Sequence, residues 1–107
     1  MGNKKKDVRV KFREDVFTRD GNKCKVCGAT DVKLDAHHIT DRSLMPNGGY
    51  VKENGITLCD QLNGCHMKAE EYHLTEGNRC QKKYEPEQLY KLINSSYEKA
   101  VYQSEKL

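Results

Sequence analysis

Asp35-Ala36-His37-His38-Ile39 sets two histidines side by side in the middle of a polar chain. Side chains alternate across a β-strand, so on a regular strand His37 and His38 would face opposite ways. A bend or bulge at a strand end would bring them to one place. Adjacent imidazoles suit a site in which one nitrogen binds a metal and the other takes a proton. The pair is therefore expected at the end of a strand, with both rings turned toward one site.

Around this pair the pattern reads strand, loop, strand, helix. Val32 to His38 alternates loosely, as a short strand does. Asp41 to Asn54 carries Pro46-Asn47-Gly48-Gly49, a strong loop signal, and Tyr50-Val51 is expected to resume extended structure. Asn54-Gly55 is expected to make a hairpin-like step into a second strand, Ile56-Thr57-Leu58-Cys59. From Cys65-His66 to His73 the composition favours a helix.

The cysteines bracket this unit. Cys24-Lys25-Val26-Cys27-Gly28 has the spacing of a zinc knuckle, in which two thiolates converge on one ion. A redox pair would want this motif at a helix start after a buried strand, and these residues are too polar for that. Cys59 and Cys65 follow the second strand, so the two pairs together can close a tetrahedral zinc site. Cys80 has no evident mate. An odd count of five cysteines with one C-x2-C spacing points to metal binding in a reducing compartment, not to disulfides.

The bulk composition asks for such a staple. The chain has 107 residues, of which 36% are hydrophobic and 33% charged, with no Trp. One small domain with a thin core follows. A net charge of +3 is compatible with a polyanionic partner without demanding one. No apolar run is long enough for a membrane span or a signal-peptide core, so a cytoplasmic protein with no membrane partner is expected.

At the ends, residues 1–7 read as a disordered basic tail, and residues 8–107 as a single domain with its core at 19–74. Val8, Phe12, Val16 and Phe17 recur at helical spacing up to Arg19, and Asp20-Gly21-Asn22 supplies the stop. Pro86 suits the first turn of a C-terminal helix reaching about residue 102. Its packing stripe is Leu89, Leu92, Ile93, Tyr97, Ala100 and Val101.

A second group of ligands lies beside the thiols. His66 opens the helix after Cys65, and Glu70 follows four residues on, on the same face. His73 comes at i+7, roughly 10 Å along the axis. Imidazole with carboxylate leaves open positions for water and suits a first-row ion or Mg²⁺.

In this order, Cys24-x2-Cys27, Asp35-Ala-His37-His38-Ile39, Asn54-Gly-Ile-Thr-Leu58-Cys59 and Cys65-His66 resemble the HNH endonuclease family, over about residues 19–73. The likeness is to its small zinc-stapled phage and bacterial members. The three signature letters fall on His38, Asn54 and His66. The resemblance implies an α+β fold with a small ββα-metal (His-Me finger) core and a four-cysteine zinc knuckle, flanked by an N-terminal and a C-terminal helix. It implies hydrolysis of DNA phosphodiesters, by a nick or a double-strand cut, leaving 5′-phosphate and 3′-hydroxyl ends. His37 and His66 would hold a catalytic divalent ion (Mg²⁺, Mn²⁺, Ni²⁺ or Zn²⁺), with Glu70 preferred over His73 as third ligand. His38 would be the general base and Asn54 would orient its imidazole. Zinc would occupy the four cysteines. The implied setting is the cytoplasm of a bacterial or phage-infected cell. The implied state is a monomer or weak dimer, with other phage, restriction or packaging proteins as further partners.

For grip on DNA, Arg19, Arg42, Lys68 and the run Lys4 to Lys6 stand near the expected site, and Tyr50 and Tyr72 could stack on bases. A non-catalytic zinc module that binds nucleic acid or protein would also explain the cysteines and the charge. It leaves His37, His38, Asn54 and His66 without a role. A redox or metal-storage protein fits less well, because Cys59 and Cys65 are widely spaced.

Overall fold

Gly55 shows how tightly the two strands sit under the first helix. In this computed structural model, a Cβ at Gly55 would come within 2.5 Å of Val16 Cγ2 and 2.7 Å of Phe12 Cε1. The structure describes residues 4–107, and side chains from residue 6 onward. Among them are four helices and one two-stranded antiparallel sheet, an α+β arrangement with a radius of gyration of 13.1 Å. That is about the value for a compact chain of this length. No described helix is long and apolar enough to cross a membrane.

Helix α1 runs Lys4–Asp20. It begins within the segment expected to be a tail; residues 1–3 lie outside the described part. Phe12 and Val16, four residues apart, are buried against the sheet. The stop falls where expected. Gly21 and Asn22 take positive φ, and their amides donate to Thr18 and Phe17 carbonyls, closing the helix end. Buried Asp20 then accepts the Thr57 amide at 2.9 Å, tying the helix end to the second strand. Arg19 was expected near DNA, but its guanidinium chelates Asp20 and donates to the Gly55 carbonyl at 2.6 Å. It holds the fold together and is not free to grip a phosphate.

Strands β1 (Leu34–His38) and β2 (Gly55–Cys59) pair in unbroken register, from Leu34 opposite Cys59 to His38 opposite Gly55. Two corrections follow. There is no bulge at the histidine pair. Asn54-Gly55 is not a hairpin step either: Asn54 ends a 3₁₀ turn, Lys52–Asn54, and Gly55 is the extended first residue of β2. The strands are joined by a long loop of 3₁₀ turns, in which Val51 is extended as expected and Tyr50 is not. A two-stranded ribbon is marginal by itself. Here α1 covers one face, and α2 (Cys65–Leu74) with the C-terminal segment covers the other.

The expected single C-terminal helix is two: α3 (Pro86–Leu92) and α4 (Tyr97–Glu105). Asn94 adopts positive φ, and Ser96 caps α4 by accepting the Lys99 amide at 3.1 Å. Leu89, Tyr90 and Ala100 are buried as the stripe requires, but the break turns Leu92 and Tyr97 outward, 43% and 49% exposed.

Candidate metal centres

The first centre forms where the knuckle meets the end of β2. One ligand atom from each of Cys24, Cys27, Cys59 and Cys65 lies within 4.8 Å of all the others. Cys27 Sγ and Cys59 Sγ are 3.8 Å apart. Tetrahedral zinc with Zn–S bonds of about 2.3 Å sets its sulfurs about 3.8 Å apart, so this set fits a structural ion. The local chain is built for it. The Cys24 amide bonds the Ala29 carbonyl, Gly28 at positive φ turns the knuckle, and the Lys25 amide docks on the Thr57 carbonyl.

Donors surround the sulfurs. The Cys27 amide points at Cys24 Sγ, the Cys65 amide at Cys59 Sγ, and the buried Tyr84 hydroxyl donates to Cys65 Sγ at 3.3 Å. Burial opposes ionisation of Cys24, but backbone amides, that of Cys27 foremost, bring its thiol down to about 7. At Cys65 burial wins and pushes the thiol up to about 12. Four clustered thiols hold all their negative charge only if a cation shares the site. Cys80 stands apart from the cluster, its Sγ near the Lys68 and Gln81 carbonyls.

The second centre lies on the opposite end of the same two dipeptides. Cys59-Asp60 and Cys65-His66 each send one residue to the thiol cluster and the next to an imidazole cluster. His37, His66 and Glu70 offer ligand atoms that all lie within 4.8 Å of one another. Buried His37 comes from β1, with Nδ1 3.4 Å from Glu70 Oε2. The other two come from successive turns of α2. Asp60 Oδ1 lies 3.1 Å from His66 Nδ1. A carboxylate can only accept, so that nitrogen carries a proton. Nε2 faces Asp35 Oδ2 at 3.3 Å and Glu70 Oε2 at 3.6 Å. Acceptors aimed at one another repel unless a cation or a proton lies between them. Two imidazoles and a carboxylate suit a divalent ion.

Electrostatics agree with that arrangement. Burial lowers the His37 pKa and keeps its imidazole neutral, as a ligand must be. Hydrogen bonding to His37 holds Glu70 below the usual carboxylate range, and His66 does the same for Asp60.

His73 is not a member of this cluster. Its ring stacks on His37 at 5.2 Å, and Nε2 lies 2.9 Å from the His38 carbonyl, to which it must donate. It braces the strand end behind His37.

His38 faces the other way, toward α1. Its ring stacks on Phe12 at 4.5 Å and meets Tyr50 edge-on at 4.7 Å. The regular register dictates this, since neighbours on a strand diverge. Nε2 is sealed from solvent with no hydrogen-bond partner. Burial pushes the imidazole down to about 4. The expectation that both rings converge on one spot is thus corrected: His37 meets the cluster and His38 packs on the opposite face of the strand, against Phe12 and Tyr50.

Asn54 acts on the chain and not on a ring. Its Oδ1 accepts from the Thr40 amide and the Tyr90 hydroxyl, and its Nδ2 donates to the Thr40 and Gly49 carbonyls. Its own carbonyl takes the Ile39 amide at 2.8 Å. Every hydrogen-bonding site of the side chain is used, so Asn54 fixes the backbone that follows His38 and makes no bond to its ring. Sequence reasoning missed Asp35, Asp60, Tyr84 and Tyr90. Only Asp35 carried a signal, since residues two apart on a strand share a face, here with His37.

No protein-family model, curated protein or solved structure matches the chain.

Proposed function

We propose that the chain is a metal-dependent endonuclease that hydrolyses DNA phosphodiester bonds, built on the ββα-metal plan that its motifs resemble. The observation that carries this reading is the convergence of His37 from β1 with His66 and Glu70 from α2, with Asp60 fixing the far nitrogen of His66. The side toward Glu70 is open, 38% exposed, which leaves room for a phosphate oxygen and water.

A divalent ion held by these three residues would supply charge stabilisation for the pentavalent phosphorus and the leaving 3′ oxygen. The chain's own groups do the rest. His37 presents a lone pair from a ring that burial keeps neutral, and His66 turns Nε2 to the same place. His73 holds the end of β1 against α2, and Asn54 fixes the residues that follow it, so the ligand set keeps its spacing. His38, uncharged at neutral pH, is the base assigned to the attacking water, and to reach it the ring must turn away from Phe12 and Tyr50 on the α1 face. The ends expected are 5′-phosphate and 3′-hydroxyl. Exposed Arg13 and Lys33 stand beside the cluster, paired with Asp35 and Asp60, and exposed Arg9 and Arg42 stand at Tyr50; each can meet a backbone phosphate.

One observation favours a second reading, a non-catalytic zinc module: His38 Nε2 is buried between Phe12 and Tyr50. Plasmid cleavage across Mg²⁺, Mn²⁺, Ni²⁺ and Zn²⁺ separates the two. Wild-type protein is expected to nick or cut, and His38→Ala to be slower by roughly 10²–10⁴-fold with DNA binding retained. No cleavage by the wild type with any ion selects the module. Full activity in His38→Ala removes His38 from the chemistry.

A further inference from the structure

On the far side of His73 the surface opens into a hollow of about 600 Å³. His73, whose ring stacks on His37, forms the wall it shares with the imidazole cluster, while Tyr72, Tyr90 and Tyr97 supply its aromatic surface. The floor is rigid. Thr40 Oγ1 lies 2.6 Å from the Tyr90 hydroxyl, which donates to Asn54 Oδ1 at 2.7 Å. Tyr97 stands at the rim in the first turn of α4, 49% exposed. No packing role requires an aromatic ring there.

The charges around the hollow exclude a phosphate from it. Asp41, Glu87 and Glu98 line it, and the one lysine among its lining residues, Lys91, is paired with Glu87 at 3.9 Å. A nucleobase answers the same features. It is flat and neutral, stacks on tyrosine rings, and carries amino protons for carboxylates to accept. The volume lies within the range of small-molecule sites and holds one nucleoside.

We propose that this hollow receives an unpaired base of the substrate strand while the adjoining phosphate lies at the His37–His66–Glu70 cluster. The inference rests on the endonuclease reading and names its substrate: DNA with a base free of the helix, at a single-stranded, mismatched or branched position. A base stacked within a duplex cannot enter such a pocket.

The test separates the two readings. Oligonucleotides carrying 2-aminopurine, at a single unpaired position or within a full duplex, are titrated without added divalent ion, so nothing is cut. Wild-type protein is expected to change the fluorescence of the unpaired probe and to bind it about tenfold more tightly than the duplex. Tyr97→Ala is expected to lose most of that preference, and Tyr97→Phe, which keeps the ring, to retain it. Equal binding of both probes by the wild type, or an unchanged preference in Tyr97→Ala, overturns the proposal. Plasmid cleavage with no base preference sinks the pocket and spares the nuclease. A base preference without cleavage under any ion sinks the nuclease and spares the pocket.

Discussion

The thiol cluster and the imidazole cluster share two dipeptides, Cys59-Asp60 and Cys65-His66, yet they are opposite kinds of site. The first is closed. Three of its four cysteines are buried, and amides and a tyrosine hydroxyl point at the sulfurs. The second is open. Its ligands are mixed nitrogen and oxygen, Glu70 is partly in solvent, and carboxylates from Asp35 and Asp60 press on His66. A full tetrahedron of thiolates leaves an ion nothing further to bind, whereas three mixed ligands leave it incomplete. The closed cluster fixes Asp60 and His66 from behind, so the two sites should fail in one direction only.

The largest effect tests that asymmetry. Cys59→Ser removes a buried ligand at the shared junction. Structural zinc supplies much of the folding free energy of small domains, and a domain of this size has only about 5–15 kcal/mol in total. The variant is expected to lose its bound zinc, counted by elemental analysis, and with it cooperative melting and every activity. A cooperative transition at the wild-type temperature in a zinc-free variant would show that the thiols are not the staple.

A smaller effect breaks the pair from the other side. Asp60→Ala leaves the zinc ligands intact and frees His66 Nδ1. Second-layer carboxylates are worth roughly 10–100-fold in ion affinity. Mn²⁺ binding by calorimetry is expected to weaken by that factor with zinc content unchanged, and Asp60→Asn, which keeps an acceptor, to recover part of it. Unaltered Mn²⁺ affinity in Asp60→Ala removes the carboxylate from the site.

How far each region could be read in advance follows the same division. The four cysteines stand out because thiol spacing is rare and specific. The regular elements could be read from periodicity, and the knuckle and the helix stop at Gly21 from glycine placement. Asp60 could not be singled out among 16 acidic residues, since only the fold brings it to His66, whereas Asp35 shared a strand face with His37. The Tyr90 bond to Asn54 spans 36 positions and leaves no local trace. The break at Asn94-Ser95-Ser96 was hidden because Leu92 and Tyr97 continue the helical period across it, although Asn followed by a capping Ser is the signal of one helix ending and another beginning. The divergence of His37 and His38 was legible from strand alternation, and the bulge expected to undo it did not form because the register runs to Gly55 unbroken.

The finest distinction between the two sites lies in how the closed one treats its last sulfur. Tyr84 is buried and sends its hydroxyl to Cys65 Sγ, while the other donors to the cluster are amides that no side-chain substitution removes. A hydrogen bond to a charged acceptor is worth about 1.5–3 kcal/mol, and Cys65 is the thiol that burial pushes up to about 12. Tyr84→Phe keeps the ring in the core and deletes only that bond. Zinc affinity, measured by competition with a chelator, is expected to fall about tenfold, with the fold intact when zinc is in excess. Mn²⁺ affinity at the imidazole cluster is expected to stay as it was, because Cys65 reaches His66 only through a helix that zinc still anchors. A parallel loss at both ions would mean that the two clusters are one cooperative site. Loss at neither would mean that the amides alone hold the thiolate charge.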